Sequence, residues 1–153
     1  MMRIVKAEEG DLPAILELQR LAYQSEARLL GNFRIPPLLQ TLEEMRGGFR
    51  CGVFLKAVDD GGRIVGSVRG FAREGTLFVG KLMVHPDRQR QGLGSRLLLE
   101  LEKTCPQPRL ELFTSDRSAG NIRLYERNGY ARFKEKAVSP DLTFVYLEKR
   151  LSV

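Results

Sequence analysis

The chain has 153 residues, 42% of them apolar, and its 25 Lys and Arg outnumber 19 Asp and Glu to give a formal net charge of +6. That is enough for one well-buried core and predicts a single domain over residues 1–153; the basic residues are scattered among acids, which favours a solvated basic surface and disfavours a nucleic-acid module. Two cysteines without CxxC spacing or a histidine cluster argue against a disulfide framework or a metal site, and no apolar run approaches the ~20 residues of a membrane span, so a soluble protein of the reduced cytoplasm, without a signal peptide, is expected.

In chain order, Met2 to Lys6 predicts a short strand, and Asp11 is placed to cap a helix carrying Leu12, Ile15, Leu16, Leu18 and Ala22 at helical spacing. From Ser25 to Pro37 a loop is expected. A second helix with Leu38, Leu39, Leu42 and Met45 on one side should end at Gly47-Gly48. Three strands follow, Cys51 to Val58, Ile64 to Ala72 and Thr76 to Val84, separated by DDGG and REG turns as an antiparallel meander. A helix from Gly92 to about Thr104 leads into strand Arg109 to Thr114, a crossover that makes its flanking strands parallel. A Ser118-capped helix ends near Gly129, and strands Tyr130 to Lys136 and Thr143 to Leu151 close the chain. The fold class expected is α/β, a mixed sheet of about seven strands with helices on both faces.

The most telling stretch is Phe78 to Glu102, where a strand passes through a glycine-bearing loop directly into a helix. The first turn of a helix leaves backbone N–H groups unpaired, and the helix dipole adds positive potential there, so the place suits an anion. Gly92 and Gly94 permit a tight bend and close approach, and Arg88, Arg90 and Arg96 add guanidinium groups suited to phosphate oxygens. A Walker loop is excluded because no lysine stands where it needs one, and a dinucleotide fingerprint because Leu97 occupies the place of its third glycine.

What remains is QRQGLG, Gln89 to Gly94, which resembles the acyl-CoA signature of the GNAT N-acetyltransferases: Gln or Arg, two free positions, Gly, one free position, then Gly or Ala. Downstream, SAGNIRLYERNGY from Ser118 to Tyr130 is similar to the family's second cofactor segment, commonly NxxAxxLYxxxGF, and the resemblance extends over most of the chain from about Arg63. It implies the GNAT fold and an acetyl-CoA cosubstrate, with no metal. Leu82, Met83 and Val84 are implied to pair with the pantetheine arm, and Gln89, Arg90, Gln91, Gly92, Leu93, Gly94, Ser95 and Arg96 to hold the phosphates. Ser118 departs from the usual Asn, and Asn121 from the usual Ala; Asn121 lies one turn before Tyr125 and is placed to hydrogen-bond the same arm.

Acetyl transfer to an amine needs a base, oxyanion donors and a proton for the leaving thiolate. The resemblance puts Tyr125 near the cofactor sulfur as general acid, and a backbone N–H of Met83 or Val84 becomes the oxyanion donor if the strand bulges, with Gly80 as the marker. Some family branches carry a glutamate where this chain has Phe78. Glu111, on a strand expected to be central, and Glu26, in the segment that shapes acceptor sites, are the candidates for base, with water relays as a further route. His85 is expected to be structural.

The expected activity is therefore transfer of an acetyl group from acetyl-CoA to a primary amine, in a small molecule or a peptide, by direct attack in a ternary complex. A non-catalytic acyl-CoA-binding or sensor protein is the alternative. No nucleic acid or membrane is expected as a partner, and a homodimer is a family-level expectation.

Overall fold

The computed structural model describes residues 2–151, so the ends of the expected domain, residues 1, 152 and 153, lie outside the described residues. Seven strands form one sheet in the order β1-β2-β3-β4-β5-β7-β6, with β1 Arg3–Lys6, β2 Val53–Val58, β3 Ile64–Arg73, β4 Thr76–Val84, β5 Arg109–Ser115, β6 Ala131–Ser139 and β7 Leu142–Arg150. Every pairing is antiparallel except β4 with β5, which are joined by helix α5, Leu93–Thr104. Helices α1 (Leu12–Ala22) and α4 (Leu42–Cys51) cover one face; α5 and α6 (Ala119–Arg127) cover the other.

Several local expectations are corrected. Residues expected as a loop from Ser25 to Pro37 contain helix α2, Gln24–Leu30, ended by Gly31 at φ 64°, and the start of the single turn α3, Pro36–Leu39. The helix expected from Leu38 onward is broken at Gln40, because Thr41 starts α4 afresh: its Oγ1 accepts from the Glu44 N–H, and the Glu44 carboxylate accepts from the Thr41 N–H. That reciprocal cap outweighs the glycine signal, so α4 runs through Gly47-Gly48 and Cys51 ends it instead of opening a strand. Asp11 does not cap α1. Its carboxylate turns back to the Glu8 N–H and to Lys56.

Helix α5 sets the geometry of everything that follows. Its buried leucines, Leu93, Leu97, Leu98 and Leu101, lie on β3, where two glycines leave the room. A Cβ on Gly66 would lie 3.1 Å from Leu97, and one on Gly70 would lie 2.8 Å from Leu77 and 3.3 Å from Leu101. The helix is thus seated by missing side chains as much as by present ones. Overpacking such a contact costs about 1–3 kcal/mol, so Gly70→Val should lower the urea unfolding midpoint accordingly; an unchanged midpoint would contradict the tight seating of α5.

Candidate functional site

The sheet opens between β4 and β5. They pair only at Thr76↔Arg109, Leu77↔Leu110 and Phe78↔Glu111, after which β4 stays with β3 and β5 stays with β7. A bulge drives the separation: Lys81 and Leu82 together face the single residue Val68, and Lys81 takes φ 50°. Such an insertion bends its strand and increases the local twist. Gly80 was the expected marker; it stands beside the bulge, paired with Arg69, and Lys81 carries the unusual backbone.

Beyond the bulge the register decides which main-chain groups are free. The His85 N–H donates to the Val65 carbonyl, so in this antiparallel pair His85 and Met83 turn their peptide groups toward β3 while Val84 turns its own toward the gap. Of the two expected oxyanion donors, Met83 faces β3 and Val84 the opening.

The turn after β4 is held from both sides. Asp59 accepts from the Gly61 and Arg63 N–H groups, which with other contacts hold its carboxyl below the usual range, and it also binds Arg88 at 3.0 Å. Arg88 is therefore committed to an ion pair, and Arg96 reaches the Met2 carbonyl, so the expected crowd of arginines around the loop is thinned. His85 is wedged between the Asp87 N–H at Nδ1 and Arg63 at Nε2. Both contacts come from donors, so a neutral imidazole accepts fully from one only.

Arg90 at φ 63° and Gly92 at φ 78° give the loop two left-handed residues directly before α5. Left-handed residues in such a loop suit the gathering of successive N–H groups, and the first-turn amides of Leu93, Gly94 and Ser95 follow directly. Gln89, Arg90, Gln91 and Gly92 are exposed, whereas Leu93 is buried as the anchor. Helix α6 is pinned to this end of α5: Asn128 donates to Ser95 Oγ at 3.0 Å, and a Cβ on Gly94 would lie 3.2 Å from Leu124.

Tyr125 is buried on α6, its ring 6.1 Å from that of Tyr130. Burial raises its pKa, and the nearby Tyr23, Tyr130 and Glu26 oppose a phenolate further. Tyr23 joins α1 to α2 and packs with the α1 side of the core, opposite Tyr125, and Glu26 lies in α2. The expected Ser118 cap is not made; the hydroxyl instead lies 2.9 Å from each carboxylate oxygen of Glu26. Asn121 is exposed and makes only a long contact, 3.4 Å, to Thr114 Oγ1.

Glu111 has different company. Its carboxylate is bound at 2.9 Å by Arg109, which Glu148 also holds at 2.8 Å. Burial works against the Arg109 charge, but these hydrogen bonds outweigh it and raise its pKa. Leu82 packs with the α5 side of the core and Met83 with the α1 side.

Sequence reasoning missed Arg69 and Lys81. Arg69 donates to Gln19 Oε1 at 2.7 Å and Gln40 Oε1 at 3.3 Å, with its guanidinium 4.5 Å from the centre of the Phe54 ring. A signal was present: Gln19 falls on the apolar stripe of α1, and Arg69 interrupts an apolar strand, two polar groups that burial obliges to find partners.

The Acetyltransferase (GNAT) family model matches residues 12–130. The chain belongs to the GNAT family. Over 73 residues it is 36% identical to the S-(2-succino)cysteine N-acetyltransferase of Bacillus subtilis (strain 168), a match spanning 44% of this chain and 44% of that relative. Its fold is that of the ribosomal-protein-S18-alanine N-acetyltransferase of Escherichia coli, with TM-score 0.80 and 21% identity over 100% of this chain and 96% of the other. It is likewise that of the PaiA N-acetyltransferase of Thermoplasma acidophilum, solved in complex with coenzyme A, with TM-score 0.80 and 17% identity over 99% of each chain. The expected mixed sheet of seven strands with helices on both faces is therefore the GNAT fold. No helix among the described residues is long and apolar enough to cross a membrane.

The enclosure of Tyr23 has a measurable consequence for this GNAT site. Burial pushes its pKa from 10.0 up to about 12, with Arg69 opposing and Glu26 reinforcing the shift. An acid raised on folding adds stability that is whole below its unfolded pKa and lost as pH climbs through the folded value. Stability should therefore fall between pH 10 and about 12, and Tyr23→Phe should remove one late-ionising phenol from the near-ultraviolet absorbance titration. Loss of an early-ionising phenol instead would refute the enclosure.

Proposed function

We propose that the chain is an acetyl-CoA-dependent N-acetyltransferase in which a primary amine attacks the bound thioester directly. The observation that carries this is the parting of β4 from β5 beside the N-terminus of α5, with Tyr125 buried on α6 and Glu26 bound to Ser118 at the start of α6. The amides from Gln91 to Ser95 take the pyrophosphate, helped by Gln89 and Arg90, while Arg96 would have to leave the Met2 carbonyl to join them. The strand end from Leu82 to Val84 lines the pantetheine arm, with Asn121 at its border.

In the reaction, Glu26 accepts a proton from the acceptor amine, whose nitrogen then attacks the acetyl carbon. The Val84 N–H steadies the oxyanion. As the carbon–sulfur bond breaks, Tyr125 donates a hydrogen bond to the departing sulfur, and its raised pKa keeps the proton on the phenol until that charge develops. Glu111 is assigned to its ion pair with Arg109, which leaves Glu26 as the base. Neither cysteine belongs to the gap: Cys51 ends α4 and Cys105 follows the far end of α5, which favours direct attack over an acetyl-cysteine intermediate.

Thiol release from acetyl-CoA in the presence of a panel of amines tests the activity; binding without release would refute it. Gly92→Val forces a side chain into a left-handed residue, a strain of about 1–3 kcal/mol, and should weaken acetyl-CoA binding in calorimetry. Unaltered affinity would count against the loop. Glu26→Gln keeps an acceptor for Ser118 but removes the base, and Tyr125→Phe removes the donor. Each should lower kcat by about 10²-fold or more with acetyl-CoA affinity retained, and a kcat within a factor of about two of the parent would remove that residue from the mechanism.

A further inference from the structure

The partly buried cations of this chain fall into two groups. Lys56 meets Asp11 at 2.7 Å, Arg88 meets Asp59 at 3.0 Å, Lys149 meets Glu102 at 2.7 Å, and Arg109 is shared by Glu111 and Glu148. Arg69 and Lys81 have no such carboxylate among the described residues. Arg69 bonds only neutral amides, Gln19 and Gln40, and its buried Nε has no partner. Burial pushes its pKa down to about 10, with Tyr23 opposing, while burial and the charge of Arg69 both depress Lys81.

Two partly buried like charges that act on each other are costly unless an anion joins them. Their position says which anion. Arg69 is paired in the sheet with Gly80, Lys81 forms the bulge that opens the gap, and Tyr23 lies within electrostatic reach of Arg69, Glu26 and Tyr125 together. Arg69 also bonds Gln19, one helical turn before Tyr23, and Glu26 lies in the helix that Tyr23 opens, so the cationic pair and the proposed base are served by the same α1–α2 segment.

We propose that Arg69 and Lys81 receive a carboxylate of the acceptor, and that the acceptor is a free α-amino acid. In that class the amine and carboxylate share one carbon, so Glu26 faces the ammonium while the two cations face the carboxylate. The N-terminal residue of a peptide has an amide at that place and leaves the pair unanswered. The step balances as follows: Glu26 takes one proton from the ammonium, the amine nitrogen bonds the acetyl carbon, the carbon–sulfur bond breaks as the thiolate takes the Tyr125 proton to free coenzyme A, and the second nitrogen proton restores the phenol. This inference rests on the transferase function proposed above.

The test compares the common α-amino acids with their carboxamides and with the corresponding decarboxylated amines, following thiol release from acetyl-CoA. At least one amino acid should exceed its carboxamide in kcat/KM by about tenfold or more. Arg69→Gln and Lys81→Gln should each raise KM for that amino acid more than for its carboxamide, so that the preference collapses, and Arg69→Lys should restore part of it. Two positions are changed separately because Arg69 also packs on Phe54; a thermal melt of each variant reports whether the fold is kept. Equal use of acids and carboxamides, turnover confined to amines without a carboxylate, or a preference that survives in both folded variants overturns the inference while leaving the transferase function intact. Thiol release with no amine of any kind overturns both.

Discussion

A peptide group inside a sheet needs a partner strand, and the gap between β4 and β5 is where this chain withholds one. Past Phe78 and Glu111 each strand keeps only its outer neighbour, so the inner edges present main-chain donors and acceptors to a cleft within the sheet. Burying such groups unpaired is expensive. A ligand with amides of its own satisfies them as another strand would. The unpaired N–H groups at the start of α5 end beside the same opening, because α5 is the connection between the two strands that part. The two sets of main-chain groups are complementary to a molecule that bears both amides and phosphates.

The same opening joins the electrostatics of two faces that a closed sheet would keep apart. Tyr125 belongs to the α5 and α6 side and Tyr23 to the α1 side, where Arg69 bonds Gln19, yet Tyr125 feels both Tyr23 and Glu26. Burial there favours neutral forms, raising the phenols Tyr23 and Tyr125 and depressing the cations Arg69 and Lys81. The result is a site of protonated hydroxyls and uneasy positive charge, suited to receive an anionic group and to resist giving up a proton early.

How much of this was legible in the sequence depended on whether the cause was local. The strands β3, β4, β5 and β7 and helix α5 were placed closely because alternation, helical spacing and turn glycines act over a few residues. The loop before α5 was legible for the same reason, since Gly92 takes the left-handed backbone that only glycine adopts freely. Helix α2 was not, because its short apolar pattern is completed by tertiary contact, with Ala27 its one buried residue. Ser118 was read as a cap because that is its local preference; its hydroxyl went instead to a carboxylate far away in the chain. The pairing of Arg69 with Gln19 and Gln40 spans three elements, and no spacing rule links them.

The Ser118 contact also bears on how Glu26 can serve. A hydroxyl has one hydrogen, so its equal 2.9 Å distances to the two carboxylate oxygens describe one donated bond shared between them. The carboxylate is oriented without being saturated, and lone pairs stay available on both oxygens for an incoming ammonium. Glu111 offers the opposite case. Its carboxylate lies against Arg109, a cation that Glu148 anchors as well, and taking up a proton there would weaken an existing ion pair. Two glutamates that composition cannot tell apart are thus separated by their partners, a neutral hydroxyl for Glu26 and a guanidinium for Glu111.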